Sequence, residues 1–278
     1  MKVAVLLTCH NRCDTTLKCL RHLFACQLPK DIAFDVWLND DGCQDGTADA
    51  VLQSYPQVNV IKGSGADYWC GGMRRAWQAA VDSGVAYDGY LWLNDDTMLF
   101  ENALELMLSG SKDAIVTGAI CDGTQTRMTY GGSYARGDMI PINGTYRLVE
   151  KVHGNCVWIP EPVYEKMGNF QPYLTHALGD VDYSRRALRA GIKLFLTPKY
   201  VGACDSNQSR PAWMREDVPL SMRLRNLYSP LGYCEPFIYF RFCLYHDGLF
   251  VALKSIILQH IRVFFPSLWR KDCPLCAC

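Results

Sequence analysis

Residues 90–97 read Tyr-Leu-Trp-Leu-Asn-Asp-Asp-Thr, an apolar run that stops at two adjacent carboxylates, Asp95 and Asp96. A short continuous apolar stretch bounded by polar residues is the pattern of a strand covered on both faces. Asp95 and Asp96 are then expected at the strand's carboxyl end, where open α/β sheets bind ligands. A second run of the same kind, Phe-Asp-Val-Trp-Leu-Asn-Asp-Asp-Gly at 34–42, ends in Asp40 and Asp41. The two acidic strand ends are expected to open on one crevice.

Working outward, residues 2–8 are β-branched and leucine-rich and predict a first strand. Leu17, Leu20, Leu23 and Phe24 recur at helical spacing over 14–24. Strands are predicted at 34–38 and 58–61, with a helix over 45–55 between them. Residues 63–72 read as a glycine-bearing loop, with a helix over 73–83 after it. Beyond the acidic turn come a helix over 99–108 and a strand over 114–120. The stretch 121–152 is poor in helix formers and reads as a hairpin-rich insertion. A strand at 155–159, a short helix at 161–167, a helix over 183–190 closed by Gly191 and a strand at 193–197 complete the pattern. Strands alternating with helices imply right-handed parallel crossovers and a Rossmann-like, mostly parallel central sheet flanked by helices. From 236 the composition shifts to Phe, Tyr, Leu and Ile broken by cations, so residues 1–235 are expected to form the catalytic domain. Residues 236–278 are expected to form a hydrophobic, amphipathic helical extension with a tail containing Cys273, Cys276 and Cys278. The segment 236–269 reads either as an interfacial helix pair making peripheral membrane contact or as helices packed on the domain.

With 28 acidic and 28 basic side chains among 278 residues, the chain has no net charge and no basic excess with which to hold nucleic acid. Its 14 cysteines stand mostly singly in apolar segments, which suits reduced thiols in a chain of this size. No signal peptide is read at the start, and no uncharged run reaches the roughly 20 residues of a membrane span. The expected location is cytoplasmic, or peripheral on the inner face of the membrane.

Paired aspartates at strand ends suit Mg²⁺ or Mn²⁺, which take hard oxygen ligands and commonly share them with substrate phosphates. Taken singly, each Asn-Asp-Asp could equally be a turn or a helix cap. A third acidic cluster, Gly179-Asp180-Val181-Asp182-Tyr183, offers either a helix cap or a carboxylate able to take a proton from an attacking hydroxyl. His153, Trp158 and His176 flank the expected acceptor side, where core or structural hydrogen-bonding roles stand beside ligand roles.

Four pieces occur in order: Thr8-Cys9-His10-Asn11-Arg12; Asn39-Asp40-Asp41-Gly42 with Asp45-Gly46-Thr47; Asn94-Asp95-Asp96-Thr97; and Gly179-Asp180-Val181-Asp182-Tyr183 with Arg186-Ala187 and Ala190-Gly191. Together they resemble family 2 glycosyltransferases of the GT-A fold over roughly residues 1–202. The resemblance implies that Thr8, His10, Asp40 and Asp41 cradle the base and ribose of a UDP- or dTDP-sugar. Gly71, Gly72 and Arg75 line the same pocket, and Arg12 and Asn94 belong to the donor set. It further implies Asp96 as ligand of Mn²⁺ or Mg²⁺, Asp95 close to the sugar, Asp180 as base of an inverting displacement and Asp182 on the acceptor side. The acceptor would be a glycan or a polyprenyl-linked glycan of cell-surface polysaccharide synthesis. The Gln-x-x-Arg-Trp tetrad of processive synthases is absent, so one sugar is added at a time. Gly179 stands where the family usually has Glu. Two rival readings are a sugar-phosphate nucleotidyltransferase, which wants a glycine-rich loop that 8–12 lacks, and a catalytically inactive nucleotide-sugar-binding protein, which Gly179 would suit.

Overall fold

The computed structural model of the protein describes residues 1–110, 112–206 and 210–268. The amino-terminal half alternates β1 (Lys2–Cys9), α1 (Cys13–Phe24), β2 (Ala33–Asp40), α2 (Thr47–Ser54), β3 (Asn59–Lys62), α3 (Tyr68–Asp82) and β4 (Gly89–Leu93). There follow β5 (Met98–Leu99), α4 (Ala103–Leu108) and β6 (Ala114–Cys121). Four short strands then occupy the irregular stretch: β7 (Met128–Tyr130), β8 (Gly132–Ser133), β9 (Arg147–Val149) and β10 (Lys151–Val152). The remainder comprises β11 (Cys156–Pro160), α5 (Glu161–Met167), α6 (Gly179–Arg189), β12 (Lys193–Ala203), α7 (Leu220–Leu227), α8 (Pro236–Asp247) and α9 (Leu249–Phe264).

The main sheet runs β3-β2-β1-β4-β11-β6-β12-β5. The pairs β1–β2, β1–β4, β2–β3 and β6–β12 are parallel, while β11 enters antiparallel between β4 and β6. The apolar runs that lack alternation, β4, β6 and β11, are buried along their whole length, as covering both faces requires. Successive side chains go to opposite cores. Leu6, Trp92 and Val157 join Trp77 of α3 and Tyr183 of α6 on one face. Val5, Leu91, Leu93 and Trp158 join Leu20 of α1 and Met107 of α4 on the other.

Helix α6 begins at Gly179 and not at 183, so Asp180 and Asp182 lie in its first turn, and β2 runs on to Asp40; three further boundaries differ from expectation. Helix α3 starts at Tyr68 and takes in Gly71 and Gly72, because the Asp41 carboxylate accepts the backbone N–H groups of Gly65 (2.8 Å), Asp67 (3.1 Å) and Tyr68 (2.8 Å) and so starts the helix from outside the segment. The stretch expected as a helix from 99 opens instead as β5, paired with Gly202 and Ala203 of β12, and turns helical at Ala103. Strand β12 continues through Pro198 to Ala203, with its register against β6 shifting on either side of Tyr200.

Helix α8 is fixed to α6. His246 Nε2 lies 2.9 Å from Asp182, whose other carboxylate oxygen accepts from Arg186 Nε at 2.7 Å, with the Asp182 and His246 side chains buried. Arg189 donates to the His246 carbonyl (2.6 Å), and Arg185 pairs with Asp247. Helix α9 buries Ala252, Gln259 and Val263 and exposes Phe250, Leu253, Ile257, Ile261 and Phe264 on its other side. Among the described residues no helix is long and apolar enough to cross a membrane. The eleven described cysteines are all free thiols; Cys273, Cys276 and Cys278 lie outside the described residues.

Candidate functional site

Register fixes the site. Cys9 is level with Asp40 across β1–β2, and Leu6 with Trp92 across β1–β4. The carboxyl ends of three parallel strands therefore deliver residues 9–12, 40–43 and 94–97 to one edge.

Asp95 is buried, with its carboxylate 3.3 Å from Arg12 Nη1 and 3.4 Å from the Thr16 hydroxyl that donates to it. Burial, and then the charge of Asp96, push its carboxyl up to about 6 against the opposing pull of Arg12. Asp96 is more open and takes the same Arg12 nitrogen at 3.0 Å. Arg12 is thus the counter-charge of two adjacent carboxylates, one of them hardly solvated. Hard oxygen donors that repel one another suit a Mn²⁺ or Mg²⁺ ion. The Cys204 thiol donates to Asp96 Oδ1 at 3.6 Å, and burial together with Asp96 pushes that thiol up to about 12. Nothing in the sequence reading pointed to Cys204, because it lies beyond the expected end of the last strand.

The acidic turn is joined to the third acidic cluster by two routes. Asn94 donates its backbone N–H to the Asn155 carbonyl (2.9 Å), and the neighbouring Gly154 N–H donates to Asp180 Oδ2 (3.1 Å). The second route is Trp69, whose Nε1–H donates to Asn94 Oδ1 at 2.7 Å. Its ring lies so close to Gly154 and Gly179 that a Cβ on either would come within 2.4 Å and 3.1 Å of it. A Cβ at Gly179 would also meet Cys70 Sγ at 2.7 Å. Glycine stands at this position because Trp69 and Cys70 occupy the space a side chain would need. Asp180 sits in the first turn of α6, where the helix dipole favours a carboxylate. Val181 N–H also donates to it (2.8 Å). Burial raises its carboxyl above the usual range, and Lys151 works against that rise.

On the β1–β2 side, His10 Nδ1 lies 2.7 Å from the Asp41 carbonyl and its ring is exposed. Asp40 Oδ1 accepts the Cys43 N–H (2.8 Å). The carboxylate of Asp41 is spent on the three amides that start α3. Thr8 and Gly72 form a back wall, the Thr8 hydroxyl accepting from Asn39 Nδ2 at 3.2 Å, and Gly71 N–H donates to the Thr175 carbonyl (3.0 Å). Arg75 pairs with Asp67 at 2.8 Å, which with Ser64 holds the Asp67 carboxyl down to about 2 against its partial burial.

His176 stands between the rings of Tyr68 and Tyr233, and burial and nearby Arg12 keep its imidazole neutral to lower pH than usual. Three residues expected on the acceptor side are elsewhere. Trp158 is 3% exposed and packs over Gly89, because its position level with Leu91 of β4 turns it into the same core. Asp182 is turned into the α6–α8 junction. His153 accepts the Gly131 N–H at Nδ1 (3.3 Å), so its ring is held against the short strands.

No protein-family model matches the chain, and no curated protein matches it in sequence. Solved structures do match. The mannosyltransferase PcManGT from Pyrobaculum calidifontis, in complex with GDP-Man and Mn²⁺, superposes with a TM-score of 0.54 at 15% identity, covering 99% of this chain and 72% of that one. GalNAc-T7 with UDP, GalNAc and Mn²⁺ gives 0.58 at 11% identity, covering 96% of this chain and 58% of that one. S. aureus TarS 1-349 gives 0.54 at 12%, with 96% and 74% covered. The likeness is one of architecture. The mixed α/β fold with its mainly parallel central sheet is shared with these glycosyltransferases and agrees with the GT-A expectation.

Proposed function

We propose that this chain is a non-processive, inverting glycosyltransferase that moves a sugar from a UDP- or dTDP-sugar to a hydroxyl of a glycan or polyprenyl-linked glycan. The observation that supports the reading is the joining of Asn94-Asp95-Asp96 to Asp180 through Gly154, Asn155 and Trp69, which links a pair of carboxylates to a separate, desolvated carboxylate. Asp180 takes the proton of the acceptor hydroxyl. That oxygen bonds to the anomeric carbon on the face opposite the nucleoside diphosphate, whose bond to the carbon breaks, so configuration inverts. Asp96, with Asp95 beside it, would hold Mn²⁺ or Mg²⁺, and a bound cation supplies positive charge opposite the diphosphate. Arg12, half-exposed and paired with both carboxylates, adds a second cation on that side. His10, Asp40 and Arg75 face the base and ribose, with Thr8, Asp41, Gly71 and Gly72 shaping the wall behind them. His176 borders the acceptor. Two of the structural neighbours were crystallised with Mn²⁺ and a nucleotide or nucleotide-sugar, which supports the donor class. We place the protein on the cytoplasmic face of a membrane, held by the exposed stripe of α9.

A thermal-shift panel of nucleotide-sugars with Mn²⁺ tests the reading. The true donor at a hundredfold excess over its Kd adds about 2.7 kcal/mol, a rise of several degrees in Tm. Asp180→Asn keeps that rise and loses sugar transfer; a variant that still transfers at the wild-type rate removes Asp180 from the role of base.

A further inference from the structure

At the same sheet edge as Asp95 and Asp96, a second group of ligand atoms differs from them in chemistry. Cys9 ends β1, and Cys43 follows β2 in the Asp40-Asp41-Gly42-Cys43 turn. Their sulfurs are 3.8 Å apart, and one carboxylate oxygen of Asp40 completes a set whose atoms all lie within 4.8 Å of one another. We propose that Cys9, Cys43 and Asp40 form a binding site for a thiophilic divalent cation of the zinc class, separate in residues and in selectivity from the carboxylate pair.

The spacing favours this occupant. With Zn–S bonds of about 2.3 Å, two sulfurs of a tetrahedral site stand about 3.8 Å apart. A disulfide needs about 2.0 Å and would leave Asp40 without a part. Burial and the neighbouring carboxylates push both thiols up, so a cation must displace their protons as it binds. Asn11 donates its backbone N–H to Cys43 Sγ at 3.1 Å, an interaction that favours the charged sulfur. Cys43 in turn donates its own N–H to Asp40 Oδ1 at 2.8 Å, which holds the two ends of the turn together and orients both ligands. Cys9 is buried and brought to the same point by the β1–β2 register. Two soft sulfurs and one oxygen select zinc-class ions, whereas the oxygen pair at Asp95 and Asp96 selects Mn²⁺ or Mg²⁺. The fourth position is left to water. A cation here would occupy Asp40 and so oppose nucleotide binding; that consequence alone rests on the proposed donor site, and the cation site does not.

The test uses the full chain with Cys273, Cys276 and Cys278 changed to serine, reduced and stripped with a chelator under anaerobic conditions. Titration with Co²⁺ is expected to give a thiolate-to-cobalt charge-transfer band that saturates at one equivalent and is bleached by Zn²⁺. Cys9→Ser and Cys43→Ser each weaken Co²⁺ binding by about tenfold or more, as does Asp40→Asn, which spares both thiols and keeps the turn polar. Asp96→Asn leaves the band in place. Absence of the band, its persistence in the Cys9→Ser/Cys43→Ser double variant, or a Cys9–Cys43 disulfide in its stead overturns the proposal.

Discussion

Asp41 and Asp95 are aspartates in the same local phrase, Asn-Asp-Asp, and both are buried, yet their carboxylates do different work. Asp41 receives three backbone N–H groups from residues 65–68, whereas Asp95 lies against a second carboxylate with a half-exposed arginine for counter-charge. The phrase itself could not separate cap from site, since the donors that decide it come from another segment. Trp69 was equally out of reach: its bond to Asn94 and its contact with Gly179 join residues 25 and 110 positions away along the chain. His153 shows how such burial reads out in solution. Its Nδ1 accepts a backbone N–H and its Nε2 is shielded without a partner, so desolvation holds the imidazole down to about 3 instead of 6.5. A folded-state pKa below the unfolded one means that the unfolded chain binds the extra proton. The stabilisation is complete above 6.5 and falls by about 1.4 kcal/mol for each pH unit below it. Urea denaturation across pH 7 to 4 should show His153→Gln flattening this slope; an unchanged slope would assign the acid sensitivity to other groups.

At the level of elements, strand positions were legible because each buried strand is a short apolar run, and α5 falls where its spacing put it. The start of α3 was not, because glycines normally mark loops. Gly72 is inside a helix for a packing reason: a Cβ there would lie 2.1 Å from Thr8 Oγ1 and 2.9 Å from Asn39 Nδ2. Helix α3 rests directly on the end of β1. Gly72→Ala gains about 1 kcal/mol of helix propensity but must push α3 off β1, at a cost of about 1–3 kcal/mol. Net destabilisation is expected in equilibrium unfolding, and the Gly72→Ala/Thr8→Ala pair should recover part of it. A more stable Gly72→Ala chain would mean that the two elements are not in contact.

For the molecule as a whole, the carboxyl-terminal helices serve two surfaces at once. The Asp182–His246–Arg186 group locks α8 to α6, so this part of the segment is packed on the domain, as one of its two sequence readings held. The other reading keeps its footing in the outer stripe of α9, where Phe250 is 79% and Ile257 56% exposed, beside exposed Lys254. An apolar stripe with flanking cations lies flat at a lipid interface. Phe250→Glu/Ile257→Glu should abolish flotation with anionic liposomes while leaving the far-UV circular dichroism unchanged. Equal flotation of variant and parent would remove the membrane from the proposal.

The strand order also has a consequence for the chain as it is made. Strands β1 to β4 find their parallel neighbours among themselves, but β6 has β11 and β12 beside it, both still unsynthesised when it emerges. The Asn94-Asp95-Asp96 turn lies at the seam between the half-sheet that can pair early and the half that must wait. Long-range pairing of this kind is slow. The seam closes only when β11 arrives, carrying Gly154 and Asn155 with it, so the acidic turn meets the carboxylate of Asp180 last. A ribosome-bound fragment ending before residue 150 would own both aspartates and the walls around them, and still lack Asp180, which the proposed reaction requires.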